Sequence, residues 1–238
     1  MNLLAFDTST ETMSVAVQRA AAGDESRAPQ WQHTAAGGAQ TSARLIPAIL
    51  ELMAQAGLEF TQLQAIVFGR GPGSFTGLRS ACSVAQGLAF GADVKVLPID
   101  TLLAVAEQAR AQHASAAKRW RVAAMLDARM DEVYACRYVF DSGLWLQDGA
   151  CALFHPETLA FDECHALAGN VFDAYGTRLA SGALPRFQAL PTASAMLRLA
   201  PALLGAGAAL RADQALPLYI RDRVAQTTAE RAAPRQAP

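Results

Sequence analysis

The first half of the chain alternates continuous apolar runs with apolar positions at helical spacing. Leu3 to Phe6 is an apolar run, and Val15 and Val17 share one face of a second run, which predicts a β-hairpin with a hydroxyl-rich turn. A third strand is predicted at Trp31–Thr34 and a helix at Thr41–Ala56. The pattern then continues with strand 65–68, helix 74–90, strand 94–98 and a helix from Thr101 to about Gln112.

The second half repeats this pattern after a stretch rich in Ala and Ser at 113–118. Each half begins with an apolar run that ends at an aspartate, Asp7 or Asp127, and continues into a polar turn. Further strands are predicted at Val133–Tyr138 and Leu144–Phe154, with a helix after His155-Pro156. We therefore predict a duplicated βββα unit, although the two halves share no sequence motif.

Two C-terminal segments differ in composition. Leu216–Val224 contains apolar and aromatic residues and is predicted to be ordered against the body of the protein. Residues 226–238 are polar and rich in Ala and Pro, which predicts a disordered tail.

The segment from Ile66 to Phe90 combines a short strand, a glycine-rich turn and a helix with almost no charge. Ser74 or Thr76 is expected to cap this helix through a side-chain oxygen. A strand that ends at glycines before a helix directs backbone N–H groups at one point, an arrangement that binds phosphate. The candidate residues for a phosphate loop, including the first polar turn, are Asp7, Thr8, Ser9, Gly71, Gly73, Ser74 and Thr76.

The standard nucleotide motifs do not match this loop. Gly77 is followed by Leu78 and Arg79, where a Walker loop has Lys and then Ser or Thr, and Thr76 replaces the third glycine of the dinucleotide pattern. A tight turn that packs a helix against a strand explains the glycines equally well. Both interpretations stay open at the level of sequence.

Asp7 and Asp127 are the candidate catalytic or metal-binding carboxylates. A strand-end carboxylate beside hydroxyls suits a magnesium–phosphate contact, whereas an Asx-type turn explains the same residues without a ligand. Arg129 is close enough to neutralise Asp127, so we favour turn chemistry at both positions. The four histidines include no pair three or four residues apart, and no Gly-x-Ser-x-Gly motif occurs, so no protein metal site or nucleophile elbow is predicted.

Composition narrows the class of protein. The chain has 238 residues, of which 52% are hydrophobic and 17% charged, enough for a sizeable core, and its net charge of −1 argues against an isolated nucleic-acid binder. No stretch approaches the roughly 20 apolar residues of a membrane span, and Asp7 comes too early for a signal peptide. We therefore expect a cytoplasmic protein without membrane association. The four cysteines lack CxxC spacing and are expected to be reduced and buried.

The helices at 41–56 and 74–90 carry few charges, with only Arg44 and Glu51 in the first and Arg79 in the second. Helices enclosed in a three-layer fold have this composition, and so do helices that bind a protein partner. We favour a partner surface. The candidate partner-binding residues are Leu45, Ile46, Ile49, Leu52, Met53, Ser80, Ala81, Val84, Gly87 and Leu88.

Six segments, in order along the chain, resemble the bacterial TsaB (YeaZ) proteins. They are DTST at 7–10, RLIP at 44–47, GRGPGSFTGLR at 69–79, AQGLA at 85–89, DARMDEVY at 127–134 and PLYIRDRVA at 217–225. The glycine segment together with DARM-x-EVY is specific, and the motifs cover almost the whole chain.

The resemblance implies a two-lobed α/β fold of the actin/Hsp70-like ATPase type, in which each lobe is a ribonuclease-H-like βββαβα unit. It implies an N-terminal lobe at 1–112 that carries the partner-binding helices, a C-terminal lobe at 113–225 and the disordered tail at 226–238. The glycine loop would then be the vestige of a phosphate loop and would mainly join strand to helix.

The resemblance also implies a function. It indicates a non-catalytic subunit that binds and activates TsaD, which transfers the threonylcarbamoyl group to adenosine beside the anticodon of tRNA. TsaE would join a larger complex, the free protein would form a homodimer, and tRNA would be contacted only indirectly. No intrinsic cofactor or metal is expected, while a nucleotide at the partner interface is compatible with this role. TsaD-like members carry a His-x-x-x-His metal pair on the helix that corresponds to 41–56, which here has no histidine.

Two other functions compete with this one. An ATP-dependent phosphotransferase of the same fold needs an adenosine-binding glycine loop in the second half, where Gly205 and Gly207 are the nearest candidates but suggest a helix end. A peptidase needs a nucleophile or metal constellation. The scaffold hypothesis predicts that a charge at Ala81 or Ile49 abolishes TsaD binding and leaves the monomer folded.

Overall fold

The computed structural model describes residues 1–20, 28–38 and 41–221 of the chain. Five strands of its first half are β1 (Leu3–Asp7), β2 (Thr12–Gln18), β3 (Gln30–Ala36), β4 (Ala65–Gly71) and β5 (Lys95–Asp100). They form one sheet in the order β3-β2-β1-β4-β5. β1 pairs antiparallel with β2 and parallel with β4, which in turn pairs parallel with β5.

The second half forms a second five-stranded sheet. Its strands are β6 (Arg119–Arg129), β7 (Glu132–Asp141), β8 (Leu144–Phe154), β9 (Ala166–Gly169) and β10 (Arg186–Gln188). Their order, β8-β7-β6-β9-β10, repeats that of the first sheet, and each pair runs in the same relative direction. The predicted duplication is therefore confirmed for the strands and their order.

Helices pack on both faces of the first sheet, and one short helix packs on the second sheet. They are α1 (Thr41–Ala56), α2 (Phe75–Ala92), α3 (Thr101–His113), α4 (Phe172–Tyr175) and α5 (Ala193–Gly205), with short 3-10 turns at Phe60–Gln62, Pro156–Thr158 and Ala212–Gln214. α1 and α2 cover one face of the first sheet with a shared apolar core. α5 covers the other face, and α3 lies between the two sheets.

The two halves share their inner helices. α5 comes from the second half, yet Met196 and Ala193 pack against Leu3 and Val67 of the first sheet. Glu107 on α3 accepts hydrogen bonds from Arg110 of the same helix, and also from Trp145 of β8 and Arg198 of α5. The packing is continuous on both sides of the expected lobe boundary between residues 112 and 113. The position of that boundary therefore stays a prediction.

Two expectations about the second half are wrong. The segment after His155-Pro156 forms only a 3-10 turn, because Leu159, Phe161 and Cys164 are buried against the second sheet at spacings of two and three residues rather than at a helical repeat. The four cysteines are not all reduced. Cys136 and Cys151 form a disulfide, because β7 and β8 are adjacent antiparallel strands that bring their Cα atoms within 4.4 Å.

The remaining two cysteines, Cys82 and Cys164, are free and buried, as expected. The predicted ordered segment at Leu216–Val224 is described as far as Arg221, and the N–H of Leu218 donates to the carbonyl of Arg70 at 2.7 Å. Residues 222–224 and the predicted tail at 226–238 lie outside the described residues. Among the described residues, no helix has both the length and the apolar character that crossing a membrane requires.

Candidate functional site

A cleft of about 730 Å³ lies where the turns of the two halves face each other. Its walls come from the β1–β2 turn, the glycine loop before α2, the β6–β7 turn and residues 218–221. The polar residues in these walls include Ser9, Ser74, Asp127, Arg129, Asn170 and Arg221. The volume falls in the range of ligand pockets, roughly 300–1,000 Å³.

The β1–β2 turn packs directly onto the glycine loop. The carbonyl of Ser9 accepts a hydrogen bond from the N–H of Ser74 at 2.7 Å, and the hydroxyl of Thr8 donates to the carbonyl of Gly77 at 2.7 Å. A Cβ atom would lie 2.6 Å from the Ser9 carbonyl oxygen at Gly73 and 1.9 Å from that of Thr8 at Gly77. The glycines thus allow two backbone segments to touch. This geometry favours the packing interpretation over an open phosphate cradle.

The start of α2 differs from the expectation. The helix begins at Phe75, and Ser74 is its N-cap residue by position, but the Ser74 side chain makes no capping hydrogen bond. Thr76 does not cap the helix either, since it lies inside the first turn, where its carbonyl accepts from the hydroxyl of Ser80 at 3.0 Å. The expected side-chain cap is therefore wrong. The backbone bond between Ser74 and Ser9 anchors this end instead.

Asp7 is fully buried beneath the cleft. Its Oδ1 accepts hydrogen bonds from the N–H and the hydroxyl of Ser9, at 2.9 and 2.7 Å. Its Oδ2 has no hydrogen-bond partner among the described residues and lies where a Cβ of Gly69 would be, at 1.8 Å. Burial raises the pKa of Asp7 to about 6, against the lowering effect of the two bonds from Ser9. The hydrogen bonds that Asp7 accepts are therefore those of an Asx-type turn, the interpretation that the sequence favours.

Asp127 lines the cleft and is held by its neighbours. Its Oδ1 accepts from the N–H of Arg129 at 2.8 Å and from the hydroxyl of Tyr175 at 2.9 Å. Its Oδ2 lies 3.3 Å from the Arg129 guanidinium, which also pairs with Glu11 on the opposite wall. The expected neutralisation of Asp127 by Arg129 is therefore present.

Sequence reasoning missed two partners of Asp127. Asn170 accepts a hydrogen bond from the Asp127 N–H at 2.9 Å, and Tyr175 binds the carboxylate. Both follow β9, and the parallel pairing of β6 with β9 brings them to Asp127. No local motif marks them, because the contact spans more than 40 residues of chain.

The charged groups of the cleft are engaged with one another. Arg129 pairs with Glu11 and Asp127, and Arg221 pairs with Glu132. Within the described ranges, no group of three His, Cys, Asp or Glu side chains is placed to hold a metal ion. The cleft is therefore large enough for a ligand, but the charged side chains that line it form ion pairs within the protein.

The outer surface of α1 and α2 is the other candidate site. Half of the predicted partner-binding residues lie in the core between these helices and the first sheet, namely Leu45, Ile49, Leu52, Met53 and Ala81. Their side chains are not available to a partner in this conformation, because the stripe that carries them faces the sheet. A charge at Ala81 or Ile49 would enter this core, so the burial of both positions argues against the expectation that such a variant leaves the monomer folded.

The other half remain accessible. Ile46 is 44% exposed, Gly87 is exposed, and Ser80, Val84 and Leu88 are partly exposed. Sequence reasoning omitted two exposed apolar side chains near them in sequence, Leu50 at 51% and Phe90 at 83%. The 3.6-residue period places both residues outside the buried stripe of their helix, and this is the signal that identifies them. The partner role of all these residues stays a prediction.

Comparisons with known proteins agree with this fold. A family model described as TsaD, tRNA N6-adenosine threonylcarbamoyltransferase, matches residues 28–150. The tRNA threonylcarbamoyladenosine biosynthesis protein TsaB of Escherichia coli is 30% identical over 239 residues, covering 94% of this chain and 96% of that protein. TsaB of Haemophilus influenzae is 44% identical over 140 residues, and this match spans about half of the relative, 54%, and 58% of this chain.

Solved structures give the same result. YeaZ from Pseudomonas aeruginosa has a TM-score of 0.80 at 37% identity, over 92% of this chain and 99% of that one. A structure described as an uncharacterized protein with similarity to peptidase YeaZ, also from Pseudomonas aeruginosa, has a TM-score of 0.82 at 35% identity, with the same coverage. These matches confirm the predicted actin/Hsp70-like fold class. The chain belongs to the TsaB (YeaZ) family.

Proposed function

We propose that this chain is a non-catalytic subunit that binds and activates TsaD in the transfer of threonylcarbamoyl to tRNA adenosine. The observation that carries the proposal is the set of exposed apolar side chains on the outer layer formed by α1 and α2, namely Ile46, Leu50 and Phe90. Ile46 and Leu50 are four residues apart and therefore neighbours on one face of α1, and contiguous exposed apolar groups are typical of protein interfaces. The names of the relatives in Escherichia coli and Haemophilus influenzae supply the pathway.

The contacts of the two strand-end carboxylates support a role without chemistry. Asp7 is buried and bound by Ser9, and Asp127 is bound by Arg129 and Tyr175. A general base or metal ligand needs a lone pair directed at the substrate. In this conformation both oxygens of Asp127 are engaged by Arg129 and Tyr175. The Oδ2 of Asp7, which has no partner in the described part of the chain, is fully buried, which favours a scaffold over an enzyme.

The buried residues of α1 and α2 have a supporting role in this proposal. Leu45 and Ile49 fix α1 to the first sheet, so that Ile46 and Leu50 are held in place before a partner binds. A surface organised in advance loses less conformational entropy on binding. We propose that the same face pairs two copies of the chain when TsaD is absent. With a net charge of −1, the chain reaches tRNA through TsaD, and TsaE joins the assembly elsewhere.

The proposal is tested by mixing the purified chain with TsaD from the same organism and measuring mass in solution by light scattering. The expected result is a homodimer of the chain alone that converts to a 1:1 complex with TsaD. Calorimetry then gives the dissociation constant, expected at micromolar or below. If about 1 μM of the chain forms no complex with a 50-fold excess of TsaD, the proposal is contradicted.

The second candidate is an ATP-dependent phosphotransferase, which the volume of the cleft favours. Its expected second-half glycines do not form a loop around a ligand, since Gly205 ends α5 and Gly207 follows in the left-handed conformation of a helix end. Titration of the isolated chain with ATP and Mg²⁺ separates the two functions. A scaffold should bind at about millimolar or more weakly, whereas a phosphotransferase should bind well below that.

A further inference from the structure

Residues 215–221, here called the strap, run from the first half of the molecule to the second. At the start of the strap, the carbonyl of Ala215 accepts a hydrogen bond from the Gln86 side chain of α2 at 2.8 Å. Further along, the N–H of Leu218 donates to the carbonyl of Arg70 in β4 at 2.7 Å. The first part of the strap is therefore fixed to α2 and to the first sheet.

Gly71 shows how closely the strap approaches β4. A Cβ atom at this position would lie 2.4 Å from the carbonyl oxygen of Leu218, and the φ of Gly71 is +126°. Both facts require glycine here. The absence of a side chain at this position of β4 therefore leaves the space that the strap occupies.

The middle of the strap contacts the first turns of α2. The rings of Tyr219 and Phe75 lie 5.3 Å apart between centroids, and the Tyr219 hydroxyl accepts from Arg79 at 3.0 Å. The Arg79 guanidinium in turn lies 3.9 Å from the Phe75 ring centroid. Aromatic and cation–π contacts of this kind add to the binding of the strap at the edge of the cleft.

The end of the strap belongs to the second half. Ile220 packs against the core of the second sheet. Arg221 pairs with Glu132 at the start of β7, and it also lies 3.4 Å from the carbonyl of Arg129 and 3.6 Å from the sulfur of Met130. Both side chains of the pair are mostly shielded from solvent. One short segment therefore contacts both walls of the cleft.

The β6–β7 turn that Arg221 contacts has an unfavourable backbone. Arg129, Met130 and Asp131 have φ values of 61°, 55° and 65°, in the left-handed region that side chains other than glycine disfavour. Successive residues persist there only where surrounding contacts determine the conformation. Arg221 supplies such contacts on one side and Arg178, paired with Asp131, on the other.

A second link crosses the cleft between Glu11 and Arg129. Both of these side chains are largely exposed, and exposed ion pairs add little to stability. Of these two links across the cleft, the strap with its shielded pair of Arg221 and Glu132 should therefore contribute more, in addition to the inner helices α3 and α5 that the halves share. We propose that the strap fixes the separation of the two lobes, and that release of Arg221 widens the cleft and frees the β6–β7 turn.

The test compares Arg221→Ala with Arg211→Ala. Arg211 is a matched control, because it is an arginine close in sequence whose ion pair is with Asp213 in its own turn. Spin labels attached through encoded ketone residues at the exposed positions Ser42 and Asp162 report the distance between the lobes. The wild-type chain and Arg211→Ala should give one narrow distance distribution. Arg221→Ala should give a broader distribution shifted to longer distances.

Hydrogen exchange supplies a second readout. In Arg221→Ala the amides of the β6–β7 turn should exchange about tenfold faster, while those of β1 should not change. If Arg221→Ala does not fold, Glu132→Gln breaks the same ion pair from the other side. A distance distribution and exchange rates equal to those of wild type in a folded variant would overturn the proposal.

Discussion

Ile46 provides the most direct probe of the proposed partner surface. Its side chain is 44% exposed on α1, so a partner that covers it removes somewhat less than half of the side chain from water. Full burial of an isoleucine contributes about 1.5–3 kcal/mol, so covering this fraction contributes about 1 kcal/mol. Ile46→Asp loses that term and adds an unpaired polar group to the interface, at a cost of about 2 kcal/mol.

The sum, about 3 kcal/mol, corresponds to a dissociation constant for TsaD that is roughly 100-fold higher. Isothermal titration calorimetry of the variant against TsaD measures it. Leu146→Asp is the matched control, because Leu146 is also an exposed apolar residue, at 60%, but lies on β8 in the second sheet. Urea unfolding checks that both variants are folded, with a loss of stability below about 1 kcal/mol. Binding of Ile46→Asp within threefold of wild type, or equal weakening by Leu146→Asp, would refute the reasoning.

Three substitutions and a count of free thiols test the packing of the core. Asp7 has a folded-state pKa of about 6 against 3.8 unfolded, so its neutral form stabilises the fold below pH 3.8 and this contribution is lost as pH rises to about 6. The unfolding free energy of Asp7→Asn minus that of wild type should therefore rise by about 2.5 kcal/mol between pH 4 and 7, and a flat difference would contradict it. Burial alone would raise the pKa of Glu107, but its hydrogen bonds hold it below the usual value, so its stabilisation is present at neutral pH and lost in acid. Glu107→Ala should lower stability at pH 7 by about 3–5 kcal/mol, and by less in acid, as measured by urea unfolding across pH. Gly77→Ala should lower the free energy of unfolding, measured with heat or urea, by more than about 2 kcal/mol, because its Cβ meets the Thr8 carbonyl of the β1–β2 turn. Gly91→Ala is the control in the same helix, and it should be neutral or stabilising because its Cβ enters open space. Alkylation of denatured protein should count two thiols without reductant and four with it, and four in both cases would exclude the disulfide.

The sequence predicts most elements well where period and turn signals coincide. The predicted bounds of α1 and β8 match the structure, because a strong 3.6-residue repeat defines the first and the turn Asp141-Ser142-Gly143 starts the second. The duplication is visible because both halves begin with an apolar run that ends at an aspartate, Asp7 or Asp127. These features depend on local residue order, which a single sequence contains.

The orientation of helix faces is harder to predict. A helix that is apolar over more than one stripe does not reveal which stripe faces its own sheet, and Leu45 and Ile46 are adjacent in sequence but opposite in burial. The partners of Asp127 and the disulfide depend on contacts between strands distant in sequence. Such contacts follow from the sheet order, which local patterns do not encode.

The central claim is that this chain contributes a binding surface and no catalytic group. The most direct test is threonylcarbamoyl transfer to tRNA by TsaD, TsaE and the enzyme that supplies the threonylcarbamoyl-adenylate, with wild-type chain, with Asp7→Asn/Asp127→Asn or with Ile46→Asp. The account predicts that transfer requires the chain, persists within about threefold in the double variant and falls at least tenfold in Ile46→Asp at limiting concentration. Loss of transfer by the double variant in an assembled complex would contradict it.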